Sequence, residues 1–350
     1  MAVKRMGQQT IILPNKPAIL AGAAWVGPKE GKGPLGSLFD HVTEDESYGQ
    51  QSFELAERQM VLDAARAAIR KAGVREGDIR FLLGGDLLNQ IISASFAARE
   101  LALPFLGLYG ACSTMCEALC LGSMLLDGEY ADHVLCTASS HFCTAERQYR
   151  YPLEYGNQRT PTAQWTVTGA GAAVLSLSPG KTPMARITHA CVGRVVDLGV
   201  TDANNMGAAM APAAADTLLA LFEDTHTAPR DYDLIVTGDL GRVGRNLLLE
   251  LMNSQGTPLI EDRCLDCGLL IYSPEQDCHA GGSGCGCSAV VLNACLLPQL
   301  QEGKLGRILF MSTGALMSPT SSLQGESIPG VAHAVVLESP KAERNTRHDF

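Results

Sequence analysis

Three short apolar segments recur in the same order in the two parts of this 350-residue chain. Phe81-Leu-Leu-Gly-Gly-Asp-Leu87 is echoed by Leu234-Ile-Val-Thr-Gly-Asp-Leu240. Val134-Leu-Cys-Thr-Ala-Ser139 is echoed by Ile308-Leu-Phe-Met-Ser-Thr313, and Gly171-Ala-Ala-Val-Leu-Ser-Leu177 by His333-Ala-Val-Val-Leu-Glu-Ser339. Continuous small and β-branched residues suit strands buried on both faces, which in α/β proteins are covered by helices. The repetition predicts two similar α/β halves, residues 1–180 and 181–350, with the break near Pro179 to Pro183.

The segments between these runs read as helices and short strands. Ser52 to Ala72 has helical periodicity and stops at Gly73. Ile79–Leu83, His133–Ala138 and the run from Gly169 read as buried strands, and Gly241–Met252 as a helix.

Charge and cysteine usage narrow the function class. Lys plus Arg is 27 against 37 Asp plus Glu, a net charge of −10 with no basic tract, which argues against nucleic-acid binding. Anionic lipid would also repel such a chain unless partner proteins held it there. Met1 to Pro14 lacks the apolar core of a signal peptide, and no apolar run approaches the length of a membrane span. With no secretion signal, twelve cysteines are expected as free thiols in a reducing compartment.

One cysteine stands out. Gly110-Ala-Cys-Ser-Thr-Met115 joins a strand-like run, Leu101–Tyr109, to a helix-like run, Met115–Leu126. A thiol at the first turn of a helix meets unpaired N–H groups and the positive end of the dipole, which favour thiolate. That arrangement serves a nucleophile or the floor of an anion pocket; a buried cysteine acting as a small hydrophobe is the plainer reading. Cys116 and Cys120 share a helix face with Cys112 and read as packing.

A duplicated α/β chain with its cysteine at a strand–helix junction resembles the thiolase superfamily. Thr168-Gly-Ala-Gly-Ala-Ala-Val174 is similar to a strand of ketoacyl synthase III, and His279-Ala-Gly-Gly-Ser-Gly-Cys-Gly-Cys287 to the glycine-rich segment carrying the last catalytic residue. Within that superfamily, five segments resemble the stage V sporulation protein AD family. They are Gly22–Gly27, Gly110–Met115, Val236–Gly241, Asp266–Tyr272 and the His279 segment. The resemblance runs from about Gly22 to Leu337. It implies a thiolase-like fold of two similar halves in five layers, αβαβα. It also implies a binding component of the spore dipicolinate-transport machinery, with dipicolinic acid, free or with calcium, as ligand. The membrane proteins of the dipicolinate channel would be its partners, holding it peripherally at the forespore or spore inner membrane. A homodimer is implied by the superfamily, and no cofactor.

Carried over residue by residue, Cys112 matches the superfamily nucleophile. The histidine of the ketoacyl synthases falls at Asp239, and the asparagine of ketoacyl synthase III at Ser283. A carboxylate beside a thiol repels the thiolate and donates no hydrogen bond unless protonated, which argues against catalysis. The expected ligand-binding residues are therefore Cys112, Asp239, His279, Ser283, Arg242 and Arg245. Arg242 and Arg245, three apart on a helix start, suit a carboxylate ligand or form a solvated pair; His279 is a pocket donor or a structural histidine. Asp86 and Asp239 suit either calcium or helix capping. Cys264, Cys267, Cys278, His279, Cys285 and Cys287 have a superficial zinc-like spacing, outweighed by their small-residue, apolar context. The expected function is non-catalytic dipicolinate binding; the alternative is an acyl-transfer enzyme with Cys112 as nucleophile.

Overall fold

The computed structural model describes residues 3–149, 159–178 and 180–341. Ten strands form the path of its main sheet: β1 (Ala18–Val26), β2 (Phe81–Gly85), β3 (Phe105–Gly107), β4 (His133–Ser140), β5 (Gly169–Ser176), β6 (Ala185–Cys191), β7 (Leu234–Thr237), β8 (Cys264–Asp266), β9 (Arg307–Ala315) and β10 (Gly330–Glu338). Their order is β8-β7-β9-β10-β6-β1-β5-β4-β2-β3. From either edge inward the sheet reads alike. Three parallel strands (β8, β7, β9 or β3, β2, β4) are followed by two antiparallel ones. The three recurring segments fall at matching places in this order, β2 with β7, β4 with β9 and β5 with β10. The two parts join through a short antiparallel contact, Ala185 and Arg186 of β6 against Ile19 and Ala18 of β1.

Seven helices place the core: α1 (Phe53–Ala72), α2 (Ile92–Leu101), α3 (Thr114–Asp127), α4 (Phe142–Tyr149), α5 (Met206–Thr225), α6 (Gly241–Ser254) and α7 (Cys285–Val291). The period-two alternation of the strands decides which layer each side chain enters. In β9, Ile308 and Phe310 point to the central layer, while Leu309 and Met311 point outward to α5 and α6. In β4, Val134 and Cys136 face the centre and Leu135 faces α1 and α2. Both sheet faces are therefore buried, which is why these strands read as unbroken apolar runs. Helices α3 and α7 lie between the two parts of the sheet, giving five layers, helix–sheet–helix–sheet–helix. Each fully buried Leu, Val or Phe in these layers contributes about 1.5–3 kcal/mol.

Helix ends follow local chemistry. Ser52 caps α1 by accepting from the Leu55 amide, and Gly73 closes it in the left-handed region at φ 75°. The strand expected over Leu101–Tyr109 is shorter, Phe105–Gly107, because Leu101 completes α2. Cys116 and Cys120 lie in the central core, where their thiols donate to the carbonyls of Phe310 and Ala334. Small polarizable side chains one turn apart let α3 sit close against β9 and β10.

Candidate functional site

Cys112 sits in a short turn, Ala111–Ser113, at the N-terminus of α3. The preceding Ala111 has φ 49°, an uncommon conformation for a residue with a Cβ. Its carbonyl accepts from Thr114 Oγ1 at 2.6 Å and from the Cys285 thiol at 2.8 Å. Gly314 of β9 lets the turn lie against the second half: a Cβ there would stand 2.4 Å from the Gly110 carbonyl.

The second half supplies a carboxylate. Asp239, just after β7, is buried and accepts three hydrogen bonds: from Ser283 Oγ at 2.9 Å, the Gly284 amide at 3.0 Å and Thr313 Oγ1 at 2.8 Å. Ser283 Oγ stands 3.9 Å from Cys112 Sγ. The structure thus brings together Cys112, Asp239 and Ser283, which lie far apart in sequence. The Asp239 backbone carbonyl accepts from Gln164 Nε2 at 2.6 Å, and the same amide nitrogen donates to Gly282 O at 2.9 Å.

Electrostatics here go against the helix N-terminus argument and with the plainer reading of Cys112 as a buried thiol. Burial pushes the Cys112 thiol well above its ordinary range, with Asp239 and Cys285 adding to the rise. Desolvation of the sulfur and a facing carboxylate outweigh the helix N-terminus, so Cys112 is a neutral thiol rather than a thiolate. Burial also raises Asp239, opposed by its donors.

A cavity borders this group, lined by Cys112, Ser283, Thr166, Leu87, Tyr149 and Met206. It leaves about 50 Å³ for the centres of water-sized molecules, enough for a few waters. Glu146 also lines it and accepts from Thr166 Oγ1 at 3.3 Å. Leu87, Ala111, Tyr149, Ala315 and Met317 are shared with an outer groove of about 650 Å³ that reaches Asp86 and Tyr109.

The remaining expected residues lie elsewhere. His279 and Arg242 open on a separate cleft. Arg245 donates its Nε to Cys264 O and its Nη2 to Glu261 O, both at 2.8 Å, so its guanidinium ties loop to helix. Asp86 accepts from the amides of Leu88 and Ala94, both at 2.8 Å, and so caps α2. Asp239 does not cap α6. That is done by Asp266, which accepts from Leu240 and Gly241. Among the described residues no group of three or more His, Cys, Asp or Glu is placed to hold a metal. Cys285 and Cys287 instead donate to the carbonyls of Ala111 and Gly238.

The family model for stage V sporulation protein AD (SpoVAD) matches residues 7–338. The stage V sporulation protein AD of Bacillus subtilis (strain 168) is 48% identical over 336 residues, 96% of this chain and 98% of that protein. The chain belongs to the stage V sporulation protein AD family. This family member shares its fold with condensing enzymes and thiolases. The 3-oxoacyl-[acyl-carrier-protein] synthase III of Aquifex aeolicus VF5 aligns at TM-score 0.57 and 15% identity, over 92% of this chain and 99% of that one. Human mitochondrial 3-ketoacyl-CoA thiolase in complex with CoA aligns at TM-score 0.56 and 13% identity, over 94% and 99%. The fold is therefore thiolase-like. Among the described residues, no helix of this family member is long and apolar enough to cross a membrane.

Polar groups at the site that escaped the sequence reading include Gln164, Thr166, Glu146, Tyr149 and Thr313. Thr313 had a usable signal, since it ends the repeat segment whose first copy ends at Ser139. Ser139 likewise donates to a buried carboxylate, Glu57, at 2.8 Å.

Proposed function

We propose that this chain is a non-catalytic binding protein for dipicolinic acid, alone or as its calcium complex, serving spore dipicolinate transport. The observation that carries this reading is Asp239. Acyl condensation needs a thiolate and hydrogen-bond donors toward a developing oxyanion. Here a carboxylate that accepts three hydrogen bonds stands beside a thiol held neutral. The cavity shares Leu87, Ala111 and Tyr149 with the groove of about 650 Å³, and together they offer the ligand the room that the inner cavity alone does not. Family membership supports sporulation as the setting, and the resemblance of its motifs supports dipicolinate as the ligand. Asp239, behind Ser283, disfavours a free dianion, so the neutral calcium complex meets less opposition in the Cys112 cavity. Partner proteins of the dipicolinate channel would hold the chain peripherally at the spore inner membrane, and the exposed edge strand β3 would pair two copies.

Calorimetric titration of the full chain with dipicolinate, with and without calcium, tests this. Binding weakened by filling the cavity with Met206→Trp is the expected result. Intact-mass measurement after incubation with a panel of acyl-coenzyme A thioesters is expected to show no adduct. Acylation of Cys112, with turnover lost in Cys112→Ser, would establish the acyl-transfer alternative instead.

A further inference from the structure

The Cys112 cavity and the His279 cleft are separated by a thin wall. Trp165–Thr166 pairs in parallel with Gly282–Ser283, Trp165 opposite Gly282 and Thr166 opposite Ser283. Thr166 and Ser283 line the inner cavity, while Gly281 lines the outer cleft. Gln164 locks this wall to Asp239 through the two hydrogen bonds described above.

The outer cleft differs in character from the inner one. It holds about 400 Å³ and is lined by Arg242, His279 and Tyr272 together with the apolar Pro161, Leu269 and Pro274. In a chain of net charge −10, Arg242 lines this cleft, and two further basic groups, Lys29 and Arg159, stand near its Cys278 wall. Lys29 Nζ lies 3.9 Å and the Arg159 guanidinium 4.6 Å from the centre of the Trp165 ring, and Lys29 donates to Gln276 O in the loop before His279. Arg242 is exposed, and among the described residues its guanidinium has no hydrogen-bond or ion-pair partner. The imidazole of His279 is held in the cleft by backbone at φ 52°, with Asp277 Oδ1 3.6 Å from Nε2. Asp277 is the acid on this lining; its side chain is 90% exposed, so water screens it.

We infer that this cleft is a second ligand site, which takes a small, flat organic dicarboxylate on Arg242 and His279, on the far side of the wall from Cys112. A free guanidinium fork matches a carboxylate in two parallel hydrogen bonds. The apolar rim suits the body of an organic acid better than bare inorganic phosphate. The two sites divide the ligand forms by charge: the free dianion meets the basic outer cleft, and the cation-neutralised form suits the inner cavity, where Asp239 stands behind Ser283. This division rests on the functional reading above, but the existence of the outer site does not.

The test is site-resolved. The His279 ring resonances, assigned by their loss in His279→Gln, are followed by NMR while pyridine-2,6-dicarboxylate or benzene-1,3-dicarboxylate is added to the full chain. Saturable shifts are expected in the wild type and in Met206→Trp. Arg242→Gln is expected to weaken the apparent Kd about tenfold or more, the loss of one charge-assisted pair. Arg242→Lys is expected to recover part of it. The inference is overturned if the resonances do not move, if Arg242→Gln titrates like the wild type, or if inorganic phosphate reproduces the shifts at equal concentration. Loss of calorimetric sensitivity to Met206→Trp with the His279 shifts intact would sink the inner-cavity reading alone.

Discussion

Ser283 gives its hydroxyl proton to Asp239 across 2.9 Å, and so turns a lone pair, not a proton, toward the sulfur of Cys112 3.9 Å away. One carboxylate thereby sets the polarity of the whole cavity wall. It orients Ser283, fixes Thr313 and the Gly284 amide, and keeps the neighbouring thiol protonated.

The first consequence concerns thiol reactivity. Asp239→Asn removes a charge that raises the Cys112 pKa, and the amide can still accept from Gly284 and donate to Thr313. Alkylation of Cys112 by iodoacetamide near pH 8, read on its own peptide by mass spectrometry, is expected to speed up roughly tenfold, because loss of the facing charge leaves more thiolate. An unchanged or slower rate would show that Asp239 does not control the thiol.

Packing between the central helix and the first sheet makes a second prediction. A Cβ on Gly171 of β5 would lie 2.6 Å from the backbone and Cβ of Ala289 in α7. Backbone cannot move aside as a side chain can, so Gly171→Ala is expected to cost about 2–3 kcal/mol. Urea denaturation measures it, and a midpoint equal to the wild type would contradict the close approach.

Much of this arrangement was legible in the sequence, for physical reasons. Strands buried on both faces must be apolar without interruption, so β4, β5, β9 and β10 announced themselves, and their repetition announced the matched order of the sheet. Ser52 and Gly73 marked the ends of α1 because capping chemistry is local. The grouping of Cys112, Asp239 and Ser283 was legible only through the resemblance to the condensing enzymes, carried over residue by residue; no spacing within the chain brings them together. What stayed hidden depends on three-dimensional surroundings. The helix N-terminus argument for Cys112 was sound locally, but desolvation, the larger effect, was invisible to it; the opposing charge of Asp239 was legible only once the resemblance had placed it beside the thiol. His279 is four residues from Ser283, yet the chain crosses the Thr166–Ser283 wall between them, and no spacing rule reports which side of a wall a residue occupies. Arg242 and Arg245 share a helix face, but the carbonyls of Cys264 and Glu261 that take up Arg245 come from the start of β8 and the turn before it.

Assembly gives a third prediction. β3 ends the sheet, with Leu106 46% and Tyr109 62% exposed, and an exposed apolar edge strand is a template for pairing. On the proposal that two copies pair there, Leu106→Lys is expected to shift sedimentation from dimer to monomer without loss of helical circular dichroism. A variant that sediments as the wild type does would remove β3 from the interface.

Buried acids give the fourth. Glu30 is fully enclosed, accepts from the Thr168 amide at 3.0 Å and from the Tyr272 hydroxyl, and burial raises its pKa from 4.5 to about 7. In the unfolded chain it releases its proton near pH 4.5. Below that pH both states hold the proton and Glu30 contributes no pH dependence. Between about 4.5 and 7 the folded state keeps a proton that the unfolded state has lost, so stability falls as pH rises, and above 7 the effect is complete. The full span is worth roughly 3 kcal/mol at 1.36 kcal/mol per pH unit. Asp266, raised to about 7 by burial, acts in the same direction and is untouched by a change at Glu30. Glu30→Gln keeps the acceptor oxygen for Thr168 and Tyr272 and replaces the protonated oxygen with an amide nitrogen. Its stability relative to the wild type, from urea midpoints at pH 4.5 and pH 7.5, is expected to improve by about that amount across the interval. A difference that is the same at both pH values would mean that Glu30 is ionised in the folded protein.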